Sequence, residues 1–297
     1  MEMTITPIDS LSNQRAALEA SSMEMFRERV MMPLEVFWKP FLNRMPQQEG
    51  ADPALATAQA WGVYSPQDGV EEGLKALDEF ERAGVWRACV ATIKEAARRL
   101  EPAAHGIELG DIQFTLLLGS LRVLRGKYGA YTGAQMPGFA MVLGWPNPVG
   151  SPRLPVASAH ELNHIVRFTY EPWTAETTVG QYMVAEGLAE AFGVETVGDE
   201  SLVGPYSTAL SPEQLEAVKP RFKAALETTG FDTLRGYIFG DWAAEQFRYP
   251  KQNIPDYAGY TVGYEVVKAY LKHTGKSAAE ATYIPWREIV EGSRYFE

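Results

Sequence analysis

Five consecutive residues, His160-Glu161-Leu162-Asn163-His164, hold the densest chemistry in the chain. The sequence contains four histidines, and two of them stand here at positions i and i+4. On a helix, such positions lie one above the other on the same face. Two imidazoles so placed can share one metal ion, and the acid beside the first can reach a water on that ion. The surroundings read as helix. Leu162, Ile165, Val166 and Phe168 supply apolar faces, Ser158 is a candidate N-cap, and neither Pro nor Gly interrupts residues 156–171. The competing reading is a buried helix with two satisfied histidines. It is disfavoured because three ionisable groups crowded into an apolar helix are costly to bury without a partner.

A catalytic zinc ion takes three protein ligands and keeps one position for water. The metzincin continuation would need Gly and His where this chain has Arg167 and Tyr170. His105 and His273 are far off in sequence and read more simply as surface or satisfied histidines. A carboxylate on the following helix remains. Glu186 lies far enough after His164 for a helix end, a turn and a helix running back, and it shares a face with Glu190. One of the two can bind metal while the other accepts the second N–H of a ligating imidazole and fixes its orientation. Gly187 removes a side chain where two helices must approach closely. The blander reading is a solvated acidic face, but Leu188, Ala189 and Phe192 mark this helix as buried, and a buried carboxylate needs a partner. Glu171, Glu176 and Glu195 are weaker candidates. Glu171 precedes a proline, and the other two lack a paired acid within an apolar run. Arg167, one turn beyond His164, can pair with an acid.

The elements that must position these groups follow from periodicity and punctuation. Residues 1–105 read as mostly helical. Pro33 and Pro40 divide an apolar segment over 22–44, residues 46–53 and 65–69 are turn-like, and Gly84 separates two helices within 70–100. Residues 112–118 and 139–145 read as strands, and 121–127 as a short helix or a strand. The glycines between them, Gly129, Gly133 and Gly138, fit either an edge strand able to pair with an extended chain or an ordinary hairpin. Four prolines over 146–155 form a loop into the motif helix. Further helices are expected over 175–192 with Gly193 as the cap, over 212–229, from residues 259–264 to about 272, and from about Pro285 onward. Residues 194–211 read as an acidic loop, and 230–258 as aromatic-rich and less regular.

Composition bounds the rest. The chain has 297 residues, 46% of them hydrophobic and 11% aromatic, enough for a substantial core. A net charge of −11 argues against nucleic acid and anionic membranes as partners. One cysteine, Cys89, excludes an intrachain disulfide and reads as a small buried hydrophobe. The N-terminus lacks the basic and apolar regions of a signal peptide, and no apolar run is long enough to span a bilayer. The expectation is a soluble, cytoplasmic protein.

Ala-His-Glu-Leu-Asn-His-Ile-Val-Arg, followed by Glu-Gly-Leu-Ala-Glu-Ala-Phe, resembles a bacterial family of predicted zinc-dependent proteases, formerly a domain of unknown function. Among zincin-like peptidases this is similar to the gluzincins, which join H-E-x-x-H to a later Glu ligand. Gly259-Tyr-Thr-Val-Gly-Tyr264 and the residues after it also look like that family's end motif. The resemblance spans about residues 108–290. It implies an α+β, predominantly helical zincin-like fold, with a small sheet over the motif helix and an edge strand lining the cleft. An N-terminal helical region over 1–105 would precede a catalytic domain over 106–297. The resemblance also implies Zn2+ held by His160, His164 and Glu186, Glu161 as general base, and Glu190 bonded to a ligating imidazole. The implied function is hydrolysis of peptide bonds in a peptide or protein substrate. Tyr260 and Tyr264, beside glycines near a helix start, are candidates for stabilising the oxyanion. The alternatives are a non-catalytic, zinc-stabilised peptide-binding protein and a metal-free helical scaffold.

Overall fold

Runs of β-branched and large apolar residues build one four-stranded mixed sheet. Its strands are β1 (Thr4–Ile8), β2 (Asp111–Leu118), β3 (Tyr131–Met136) and β4 (Phe139–Gly144), in the order β1-β2-β4-β3. The structure is a computed structural model and describes residues 3–44 and 50–297, so part of the turn expected over 46–53 lies outside the described residues. β1 and β4 both run parallel to β2, and β4 is buried along its whole length, as a central parallel strand should be. β3 pairs antiparallel with β4 through a turn at Pro137-Gly138, where Gly138 takes φ +82°. β3 is thus one arm of a hairpin and also the outer strand of the sheet.

Within residues 1–105, read as mostly helical, β1 is a strand that the sequence reading did not identify. Its partner in the ladder is far away, Thr4 opposite Asp111, and Pro7 is tolerated because the strand is an edge. The rest of that region is helical: α1 (Ser10–Glu19), α2 (Met23–Phe26), α3 (Glu35–Trp38), α4 (Pro53–Trp61), α5 (Val70–Arg82) and α6 (Val85–Leu100). The segment over 22–44 breaks into short pieces around its prolines, and Gly84 (φ +64°) separates α5 from α6, both as expected. Cys89 is fully buried. Over 121–127 the chain turns and forms only a 3-10 turn, Gly126–Tyr128.

The motif helix, α7 (Leu154–Tyr170), begins four residues earlier than its expected cap. Pro155 sits in the first turn, where its missing N–H is not needed. Ser158 is inside the helix, and its Oγ donates to the Leu154 carbonyl at 2.8 Å. The next helix, α8 (Val179–Val197), starts on Thr178 and ends on Gly198 in the left-handed conformation, so Gly193 is interior and not the cap. α9 (Pro212–Ala225) opens with the capping box of Ser211 and Gln214. The aromatic-rich stretch is more regular than its sequence suggests and forms α10 (Phe231–Phe239) and α11 (Asp241–Phe247). α12 (Ala258–Thr274) takes in residues 259–264 instead of following them. The chain ends with α13 (Ala278–Ala281) and α14 (Trp286–Ser293).

Contacts divide the described chain into two units, one of residues 4–44, 50–94 and 110–161, the other of Met3, 95–109 and 162–297. β1 joins β2 within the first unit, so that unit takes in residues from both sides of position 105. The first unit packs Phe26, Phe37, Leu117, Phe139 and Met141 in its core. The second packs Val184, Leu188, Phe222, Val262, Val266 and Ile289. Among the described residues, no helix is long and apolar enough to cross a membrane.

Candidate metal centre

α7 sorts its polar residues onto separate faces. His160 and His164 stand one turn apart, and the buried His164 ring lies parallel to Phe168 one turn further on, centroids 5.2 Å apart. A neighbouring face carries Asn163, Arg167 and Glu171 at the same four-residue spacing. Asn163 Nδ2 donates to Thr282 Oγ1 at 2.8 Å, and Arg167 Nη1 donates to the carbonyls of Thr282 and Ile284, each at 2.7 Å. Arg167 Nη2 donates to the Glu171 carboxylate, the acid pairing expected for it. Arg167 is 1% exposed, so these bonds are what make its burial tolerable.

Glu186 reaches the histidines from α8. Its Oε2 lies 3.4 Å from His164 Nε2, with both side chains buried. One ligand atom from each of His160, His164 and Glu186 falls within a 4.8 Å cluster. Zinc bonds of about 2.1 Å at tetrahedral angles would set two donors about 3.4 Å apart, which is the His164–Glu186 separation. Two imidazoles and one carboxylate are also the donor set of a zinc site with an open position. The residues present fit the ion.

The register of α8 is fixed behind the ligand. A Cβ on Gly187 would stand 2.2 Å from the Gly263 carbonyl oxygen, and one on Gly263 would stand 2.1 Å from that of Met183. The close approach expected at Gly187 is real, and the helix that approaches is α12. Gly263 is the matching signal in the sequence, the fifth residue of the end motif. Glu190, on the Glu186 face of α8, accepts from the Gly204 N–H at 2.5 Å. Tyr264 is half-buried near this acid. Burial, with the Glu190 charge as a smaller contribution, pushes its phenol up to about 12. Tyr260 sits farther along α12 among Tyr206, Phe239 and Tyr257, with centroids 6.0, 5.6 and 5.9 Å away.

Glu161 is buried beneath β3. A Cβ on Gly133 would fall 2.1 Å from its Oε1, so the edge strand crosses the motif acid at the one residue type that fits. The sequence marks Gly133 but not the residue it faces. The other candidates fall elsewhere. His105 stacks on Tyr283 at 3.6 Å, and His273 Nδ1 lies 3.3 Å from the Gly292 carbonyl. Glu195 accepts from the Ala278 N–H at 2.7 Å, Glu171 serves Arg167, and Glu176 is exposed. The Asn163 and Arg167 anchors escaped the sequence reading, because their carbonyl and hydroxyl partners lie more than a hundred residues away.

A family model described as "Predicted Zn-dependent protease (DUF2268)" matches residues 85–291. The chain is similar to a Bacillus subtilis (strain 168) protein named "Uncharacterized protein YjfC", at 29% identity over 98% of this chain and 96% of the relative. No solved structure matches.

Proposed function

The chain belongs to the family of predicted Zn-dependent proteases, and from that membership and its buried donor set we propose that it hydrolyses peptide bonds with the help of zinc. The observation that carries this reading is the cluster of His160, His164 and Glu186, with Glu161 next to the first ligand. Bound zinc would lower the pKa of a water to about 7 and polarise the scissile carbonyl. A purely structural zinc site would have no use for an acid at position 161. Glu161 takes the proton of the attacking water and later delivers it to the leaving amine. Its burial beneath Gly133 keeps the carboxylate in one place for both transfers. Glu190 accepts the outer N–H of a ligating imidazole and holds the ring in its binding tautomer. Tyr264, whose phenol stays protonated at neutral pH, donates to the developing oxyanion, with Tyr260 as the other candidate. The outer strand β3 offers backbone groups to an extended peptide or protein substrate.

The test is Glu161→Gln. It should retain zinc at the wild-type stoichiometry and lose peptide hydrolysis by on the order of a hundredfold or more. Full activity in this variant would remove Glu161 as the base. Zinc and peptide binding without turnover in the wild type would instead indicate a zinc-stabilised peptide-binding protein.

A further inference from the structure

A row of aromatic rings leads away from the metal ligands. On α7, Phe168 lies one turn past His164; on α8, Tyr182 lies one turn before Glu186. His164 and Glu186 therefore each have an aromatic residue on their own helix face. Trp173 joins them, edge-on to Phe168 at 5.6 Å and to Tyr182 at 4.6 Å. The row continues from Tyr182 to Phe239 at 6.4 Å and from Phe239 to Tyr260 at 5.6 Å. Phe168, Tyr182, Phe239 and Tyr260 are only half-buried, and Trp173 is 37% exposed.

Tyr182, Phe239 and Tyr260 pack against the core of the second unit and still remain only half-buried. Keeping apolar surface in water opposes folding, and patches of this kind mark places where something binds. The Trp173 loop is also built to hold its ring there. The buried Gln181 donates from Nε2 to the carbonyls of Glu171 and Pro172, both at 3.3 Å, and the Thr174 N–H donates to Thr177 Oγ1 at 2.9 Å. The exposure of Trp173 is thus a property of an anchored loop.

We propose that Phe168, Trp173 and Tyr182 form a subsite for one bulky apolar side chain, aromatic or branched aliphatic, of an extended peptide lying across His164 and Glu186. The rings give a large contact area at little conformational cost, since a ring has few torsions to freeze. Acidic and small side chains gain nothing from them. The inference rests on the proposed hydrolysis only for the location of the scissile bond beside the ligands.

The experiment is calorimetric binding of four blocked hexapeptides that differ at one central position, Phe, Leu, Ala or Glu. It uses zinc-loaded Glu161→Gln protein, which binds without cleaving, and the same protein treated with a chelator. The Phe and Leu peptides should bind about tenfold tighter than the Ala and Glu peptides. Trp173→Ala should abolish that preference, and Trp173→Phe should restore most of it at an unchanged melting temperature. Equal affinity for all four peptides, or no measurable binding of any, overturns the subsite. So does a preference that survives Trp173→Ala. If the protein takes up no zinc on reconstitution and still shows the preference, the subsite stands and the hydrolytic reading falls, so the two fail separately.

Discussion

Two glycines beside the site do different work, and the same substitution tells them apart. At Gly187 an added methyl would meet backbone, the Gly263 carbonyl oxygen at 2.2 Å, and backbone in a helix pair cannot step aside. Gly187→Ala should destabilise the protein by about 1–3 kcal/mol, read as a lower urea midpoint, and should weaken zinc binding because Glu186 is the preceding residue. At Gly133 the methyl would meet the end of the Glu161 side chain, which can swing away. Gly133→Ala should leave the midpoint and the zinc content near wild type. It should lower kcat by on the order of a hundredfold, the usual penalty for misplacing a catalytic group by about an ångström. Unchanged kcat would mean that Glu161 does not need its place under β3. The residues themselves were legible in the sequence to the extent that their chemistry is local. His160, Glu161 and His164 declare themselves by one helical turn, and Glu186 by an acid pair in an apolar helix. Gly133 was visible as a glycine, but its reason is a contact between residues far apart in the chain.

At the scale of elements, α7 is held by its side face as much as by its apolar one. Asn163 and Arg167 tie it to the Thr282–Ile284 stretch, and Glu171 closes the row by accepting from the Trp286 N–H at 3.4 Å. Arg167→Met would leave the buried Thr282 carbonyl and the partly buried Ile284 carbonyl without their donor and Glu171 without its counter-charge. The expected loss is about 3–5 kcal/mol in equilibrium unfolding. Arg167→Lys should recover only part of it, because one ammonium cannot reproduce a planar fork that reaches two carbonyls and a carboxylate. A midpoint within experimental error of wild type for both variants would show that α7 does not depend on this row. Elements were read well where their signals are sequential. Gly84 splits α5 from α6, and Ser211 with Gln214 starts α9. They were misread where packing overrides local signals. Ser158 resembles a cap but bonds back within α7, Gly193 resembles a stop but is buried inside α8, and β1 is a strand only because β2 accepts it.

At the scale of the whole molecule, two sets of groups with shifted ionisation respond oppositely to pH. Carboxylates held low, such as Glu95 at about 2 beside Arg98 and Arg99, lie on the surface in exposed pairs. Their contribution is present above the ordinary carboxylate range and fades as pH falls, but exposed pairs of this kind add little. Among the groups held high are several wholly or partly buried phenols and the buried thiol. Burial pushes Cys89 up from 9.0 to about 12, and Tyr64, Tyr264 and Tyr295 from 10.0 to about 12, with Tyr283 shifted the same way. A folded-state pKa raised above the unfolded value means that the unfolded chain releases its proton first. The stabilisation is complete below about pH 9 and is lost as pH climbs from there through about 12. Because these groups sit in both units, the loss should be global, with five groups acting in one direction. The urea midpoint should therefore stay nearly flat from pH 6 to 8.5 and fall steeply between pH 9.5 and 11. Over the same range, the part of the tyrosinate absorbance that these four phenols contribute should appear only with unfolding. A full tyrosinate signal from protein that is still folded at pH 10.5 would show that these phenols are open to water and do not link stability to pH.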